Sequence, residues 1–314
     1  MSTEVLTKFL VPLDIKGHYS RTAGLVKCIA VTLGQHVEKI TLLHVNAGSY
    51  LAQHMANIDF RAGHLLSTDK FRELRQKHIE QEVMPEMEKV KEDLVAAGVT
   101  ASIEIEIKDG DPVDKIVQTV NEGNYTSLFL QRSDDDDSIF AGSVTSGILH
   151  REINATIYLA PAEEGKDSEC PPKNCIVAID GSKNSMAALE RARVLASASG
   201  DSLEKIVLST VLDMTEYSEA IAEGKDPEAP DSTLLDKAAD ELKSAGIPEE
   251  KIVESITCGE PADVITGLVK RYNADMIFMG RRDRGAIKEL FMGSVSSKVI
   301  RNCPAQVIVL ANGN

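Results

Sequence analysis

The sequence predicts an α/β fold built twice: two tandem doubly wound domains, each a five-stranded parallel sheet of order 3-2-1-4-5 with helices on both faces. Three observations predict it. The 314 residues are long for one core and comfortable for two. Short apolar runs alternate with stretches of helical periodicity. The runs are continuous rather than alternating in polarity, as strands covered on both faces are. Above all, the chain repeats itself in order.

Each element of the first half finds an answer in the second. "FLVPLD" (Phe9 to Asp14) matches "CIVAID" (Cys175 to Asp180), and "KITLLHV" (Lys39 to Val45) matches "KIVLSTV" (Lys205 to Val211). Between the second and third strands, Phe71, Leu74, Ile79, Val83, Met87, Val90 and Leu94 trace a long amphipathic helix, which Pro85 should kink or divide. "GDPVDKIV" (Gly110 to Val117) matches "GEPADVIT" (Gly259 to Thr266), and "SLFLQ" (Ser127 to Gln131) matches "MIFMG" (Met276 to Gly280). "AGSVTSGIL" (Ala141 to Leu149) matches "MGSVSSKVI" (Met292 to Ile300), and "TIYLA" (Thr156 to Ala160) matches "QVIVL" (Gln306 to Leu310). Met186, Leu189, Ala192, Leu195 and Ala196 place a helix after Asp180. Strand and helix in alternation give right-handed crossovers and parallel sheets.

The offsets locate the differences. Asp14 to Asp180 is 166 and Gly110 to Gly259 is 149, so the first half carries 17 extra residues between its second and third strands. Gly142 to Gly293 is 151, so its late loop is two residues shorter. The expected domains are 1–160 and 175–314, joined by a polar linker over 161–174, "PAEEGKDSECPPKN".

A net charge of -15 leaves no excess of Lys and Arg to displace counterions, which argues against nucleic acid or an anionic membrane as partner. No apolar run approaches the roughly 18 residues that span a bilayer. The five cysteines (28, 170, 175, 258, 303) show no CxxC spacing, so neither a disulfide framework nor a zinc site is expected, and a reducing cytoplasm is the natural compartment. All seven histidines fall in the first half without HxxxH spacing, as solvated or core-edge residues would.

Doubly wound sheets bind ligands at the carboxyl ends of their strands. In the second half, "AIDGS" brings Ala178 and Asp180 to that edge, where Asp180 either receives a base or sugar or caps the next helix with Gly181 and Ser182. Val211 ends the second strand and could flank a planar ring. Met279 and Gly280 end the fourth, where Gly280 lets backbone approach a ligand. Gly293 and Ser294 then open the helix "SVSSKVIRN", whose free N–H groups suit a phosphate, with Ser294 and Ser296 adding hydroxyl donors. From Gly280 to Ser294 lie Arg281, Arg282, Arg284 and Lys288 against Asp283 and Glu289, an excess of +2. On spacing alone this is either a phosphate site or a helix cap.

These residues resemble the universal stress proteins in their tandem two-domain form. The resemblance rests on "VAIDGS", "LLHV", "GEPADVI" and the run from Gly280 to Val295, and it spans essentially the whole chain. It implies an adenine nucleotide, ATP or AMP, in the second half. Ala178, Asp180 and Val211 would lie at the base, Met279, Gly280 and Arg282 alongside ribose and phosphates, and Gly293, Ser294, Val295 and Ser296 at the phosphates. Mg could accompany ATP. Nucleotide-binding members carry a second glycine where this chain has Asp283. A carboxylate about 4 Å from a phosphate costs roughly 1–4 kcal/mol at surface-like dielectric.

In the first half Gln131 replaces the first glycine, and Gln131 to Ser143 holds one Arg against Asp134 to Asp137, a net of -3. That half should not hold ATP by the same loop. The aspartate run reads as a solvated loop or a cation site. No "GxxxxGK[ST]", "SGGxDS" or "GxSxG" is present, so no turnover enzyme is expected. An interaction protein of the same fold is the alternative to a nucleotide binder. "AQVIVLA" (Ala305 to Ala311) is an apolar edge that needs covering, by the other half as an intramolecular pseudo-dimer or by a second chain in a homodimer.

Overall fold

The computed structural model describes residues 7–15, 17, 19–47, 68–132, 144–162, 170–224, 226–281 and 293–313. The first half runs β1 (Lys8–Pro12), α1 (Ser20–Leu33), β2 (Lys39–Asn46), α2 (Thr68–His78), α3 (Met84–Ala96), β3 (Ser102–Asp109), α4 (Pro112–Glu122), β4 (Ser127–Leu130), α5 (Val144–Leu149) and β5 (Thr156–Leu159). The second runs β6 (Asn174–Ala178), α6 (Lys183–Ser199), β7 (Lys205–Leu212), α7 (Met214–Ala222), α8 (Ala229–Ser244), β8 (Ile252–Cys258), α9 (Pro261–Tyr272), β9 (Met276–Gly280), α10 (Ser294–Asn302) and β10 (Val307–Ala311).

All strand pairs within a half are parallel, in the order β3-β2-β1-β4-β5 and its repeat β8-β7-β6-β9-β10. The edge strands β5 and β10 pair antiparallel, Tyr158 opposite Val309, so the two sheets become one of ten strands. Both apolar edges are thereby removed from solvent. Thr156 pairs with Ser127 as Val307 pairs with Met276, so β5 matches β10 one residue later than the strings suggest. Apolar residues from both halves merge into a cluster on each face of the sheet, one including Leu25, Leu94, Leu189 and Leu242, the other Ile116, Ile148, Ile265 and Ile300.

Pro85 divides its helix as the sequence predicts, through one π-helical turn, Ile79–Val83, between α2 and α3. Proline removes one N–H from the ladder, and the wider turn absorbs the lost hydrogen bond. Ile79, Val83, Met87, Val90 and Leu94 are buried, whereas Leu74 is 37% exposed and departs from the predicted stripe. The expectation of no disulfide is overturned: Cys28 on α1 is bonded to Cys170 in the linker, with Cα atoms 5.5 Å apart. Spacing cannot reveal a pair 142 residues apart, and the cysteines therefore do not argue for a reducing compartment. Of the stretch near Gly48 to Glu80 that carries the 17 extra residues, 48–67 lie outside the described residues, as do the aspartates 134–137. Among the described residues no helix is long and apolar enough to cross a membrane, and no cluster of His, Cys, Asp or Glu could hold a metal.

Candidate functional site

At the carboxyl edge of the second half, the loop from β6 to α6 is organised by two short side chains. Asp180 Oδ1 accepts the Ser182 N–H at 2.9 Å, and Ser182 Oγ, the cap of α6, accepts the Ser185 N–H at 3.1 Å. Of the two sequence readings of Asp180, the helix-cap one is what these bonds show: the carboxylate braces the cap, and it remains exposed to solvent. Partial burial pushes its carboxyl up, but hydrogen bonding by Ser182 and Ser185 outweighs this and holds it below its ordinary value.

Val211 lies half-buried one residue before the end of β7, and Ala178 is half-buried at the end of β6. Met279 is buried in the core, so it can offer a ligand only its main chain. Gly293 caps α10 in extended conformation and, as glycine, has no side chain with which to close that end. The amides of Ser294, Val295 and Ser296 are the first of the helix, and in-helix bonding resumes with the Ser297 N–H to the Gly293 carbonyl at 3.0 Å. Ser294 is exposed and Ser296 buried. Arg282 and Asp283 lie outside the described residues.

Two sequence readings need correction. Gly280 is glycine because of its neighbour helix: a Cβ there would meet the Ser185 nitrogen at 2.7 Å and the Asn184 carbonyl carbon at 2.9 Å. The close approach of α6 is thus reason enough for a bare backbone here, apart from any ligand. Arg281 does not belong to the phosphate cradle. It is 7% exposed, and its guanidinium donates across the sheet junction to the carbonyls of Leu149, at 2.9 Å, and Arg151, at the end of α5 in the other half. Without Arg281, residues 282–292 carry three cations against two anions, a net of +1 rather than +2.

Sequence reasoning missed the reciprocal of that contact. Arg132, 149 positions before Arg281, is 1% exposed and uses all five of its N–H donors on main-chain carbonyls. Nε donates to Ala160 at 2.8 Å, Nη1 to Ile300 at 3.1 Å and Cys303 at 3.0 Å, and Nη2 to Pro304 at 2.9 Å and to Gln306. Four of the five acceptors belong to the second half, at and beyond the end of α10. Each half thus sends an arginine under the last helix of the other. The signal was present in the repeat, where "QR" answers "GR". Asn184 was also missed. Its Nδ2 donates to the Arg281 carbonyl, and its Oδ1 accepts the Gly313 N–H at 2.6 Å, tying β9 and the chain end to α6.

A cleft of about 400 Å³ lies apart from this site, between the halves, lined by Tyr125, Asn154, Glu190, Arg191 and Asn312 among others. Arg191 Nε donates there to Thr156 Oγ1 of the first half at 2.8 Å.

Comparison with known proteins agrees with this architecture. The sequence profile of the universal stress protein family matches residues 172–311. A universal stress protein of Thermus aquaticus is 35% identical over 72 residues, 23% of this chain and 51% of that protein. A Synechocystis universal stress protein is 36% identical over 55 residues, 18% of this chain and 36% of that protein. The chain therefore spans about half and about a third of the length of these two relatives. The crystal structure of a universal stress protein from Archaeoglobus fulgidus superposes with a TM-score of 0.66 at 21% identity, over 99% of this chain and 98% of that one. At that identity the likeness speaks to the fold, which it matches through both halves.

Proposed function

We propose that this chain, which belongs to the universal stress protein family, is a non-enzymatic stress-response regulator that holds one adenine nucleotide, ATP or AMP, in its second half. The observation that carries the reading is the open start of α10. Gly293, which has no side chain of its own to cap the helix, leads into three first-turn amides at the carboxyl edge of the sheet, where β6 and β9 lie side by side. A helix start of this kind presents N–H groups and a partial positive charge to a phosphate. Val211 and Ala178 would then lie beside the base, Arg282 near the phosphates, and Mg would enter with ATP. The two halves, joined through β5 and β10, would act as a pseudo-dimer within one chain, and a further homodimer remains compatible with it. The net charge of -15 supports neither nucleic acid nor an anionic membrane as partner.

Two features favour the second reading, an interaction protein of this fold without nucleotide. Asp283 stands where nucleotide-binding members of the family have glycine, and both Gly280 and Arg281 are committed to packing. Mass spectrometry of ligand released from denatured protein, followed by ATP and AMP titration against wild type and Ser294→Ala, decides between them. The expected result is bound adenine nucleotide, and roughly tenfold weaker binding in Ser294→Ala for the lost hydroxyl. No release and no binding at millimolar ligand would leave the interaction reading.

A further inference from the structure

We infer that Arg132 of the first half is a positioning residue for the nucleotide site of the second half, acting through α10; the inference rests on the phosphate reading of that helix start. α10 spans nine residues, about 13 Å, with Gly293 at one end and Ile300 to Asn302 at the other. A helix this short is marginal by itself, and its last carbonyls lack partners within it. Arg132 supplies them. Nη1 takes the Ile300 carbonyl inside the last turn and the Cys303 carbonyl just beyond it, and Nη2 takes those of Pro304 and Gln306 on the way into β10.

This grip fixes α10 in the two respects that matter for an anion at its other end. It places a cation at the negative pole of the helix, which stabilises the helical state of the last turn. It also locks the helix axis to β4, because Arg132 follows Leu130 and Gln131 directly and its Nε is tied to Ala160 after β5. The phosphate-facing amides are then held in place before ligand arrives, and the ordering cost of binding falls. The half whose own loop is acidic is therefore a working part of the other half's site. Its loop, residues 133–143, begins directly after this arginine.

Coupling of this kind is reciprocal. If Arg132 improves phosphate binding at α10, phosphate at α10 must tighten the hold on Arg132 and on β4.

The test is calorimetric titration of Mg·ATP into full-length wild type, Arg132→Lys, Arg132→Gln and Thr156→Val. Hydrogen exchange of wild type with and without Mg·ATP accompanies it. Thr156→Val removes a different contact between the halves, the one to Arg191, and controls for general loosening of the junction. Expected are roughly tenfold weaker binding in Arg132→Gln, about threefold in Arg132→Lys, which keeps the charge and loses the fork, and less than twofold in Thr156→Val. Exchange across Ser127 to Arg132 should slow on adding Mg·ATP. Wild type that binds while both Arg132 variants stay within twofold of it overturns the inference and leaves the nucleotide reading standing. So does a loss in Thr156→Val equal to that in Arg132→Gln. Wild type that does not bind ends both. Should the Arg132 variants fail to fold, unchanged exchange at Ser127 to Arg132 in wild type overturns the inference alone.

Discussion

One position of the repeat carries Gln131 in the first half and Gly280 in the second, and the helix beside it explains both. α6 begins three residues after Asp180, and its first turn lies against Gly280, where a Cβ would strike main-chain atoms. α1 begins six residues after Asp14. The described residues of the corresponding stretch in the first half, Ile15, Gly17 and Tyr19, lie before α1, and Gln131 reaches back instead, its Oε1 accepting the Thr22 hydroxyl at 2.8 Å. The glycine that resembles a phosphate-loop signature thus has a packing cause. Its absence from the first half follows from a longer loop before α1. The halves also differ in charge further along. Setting aside the two buried arginines, residues 282–292 sum to +1, from three cations and two anions, and residues 133–143 sum to -4, from four aspartates.

The largest expected effect tests the one feature the halves share. Among the described residues, Arg132 donates to at least five main-chain carbonyls and Arg281 to at least two. Leaving buried carbonyls unpaired costs on the order of 1–3 kcal/mol each before relaxation. Thermal unfolding should show Arg132→Met destabilised by roughly 3–5 kcal/mol and Arg281→Met by about 2 kcal/mol. Equal losses would mean that the clamp is symmetric and that the second half has no larger stake in it.

Next in size is the pair at the repeat position itself. Gly280→Ala forces α6 away from β9 and should cost about 1–3 kcal/mol of stability, as overpacking does. Gln131→Ala removes one partly buried hydrogen bond and should cost no more than about 1 kcal/mol. A neutral Gly280→Ala would return that glycine to the ligand.

A third effect is read in affinity. Asp283→Gly removes one of the two carboxylates of residues 282–292 and raises the charge of that segment from +1 to +2. ATP binding by calorimetry should tighten roughly tenfold, about 1.4 kcal/mol, within the 1–4 kcal/mol expected for a charge pair near 4 Å at surface-like dielectric. Unchanged or weaker binding would show that Asp283 turns away from the phosphates.

Much of the fold was legible, because a repeated order of strands and helices constrains topology twice over. The strands, the helix starting at Ser294 and the break at Pro85 all follow from local pattern. What escaped depends on distance. The bond from Cys28 to Cys170 joins residues 142 positions apart, and neither is marked by spacing. Arg281 sits in sequence among residues that read as a phosphate loop, and only the antiparallel pairing of β5 with β10 turns it towards α5. Leu74 keeps helical phase yet is exposed, since α2 ends before the π-helical turn brings Ile79 and Val83 onto the core. Aligning the repeats on their charged residues as well as their apolar ones would have paired Arg132 with Arg281.

The smallest effect separates the third strands. Asp109 ends β3 and accepts Arg75 Nε at 3.0 and 2.8 Å on its two oxygens, with Asn46 Nδ2 at 3.0 Å. At the same offset, 149, the second half has Cys258. Burial raises the Asp109 carboxyl, but the bonds from Arg75 and Asn46 outweigh it and hold it below its ordinary 3.8. A folded value below the unfolded one gives stabilisation that is present above pH 3.8 and is lost as pH falls through the folded value. The pair is substantially exposed and screened by salt, so the contribution should stay under about 1 kcal/mol. Asp109→Asn should therefore lower the melting temperature slightly at pH 6 and converge with wild type towards pH 3, and 1 M salt should shrink the gap at pH 6. A gap that persists undiminished at pH 3 would assign the loss to packing at β3 rather than to the ion pair that distinguishes this edge from β8.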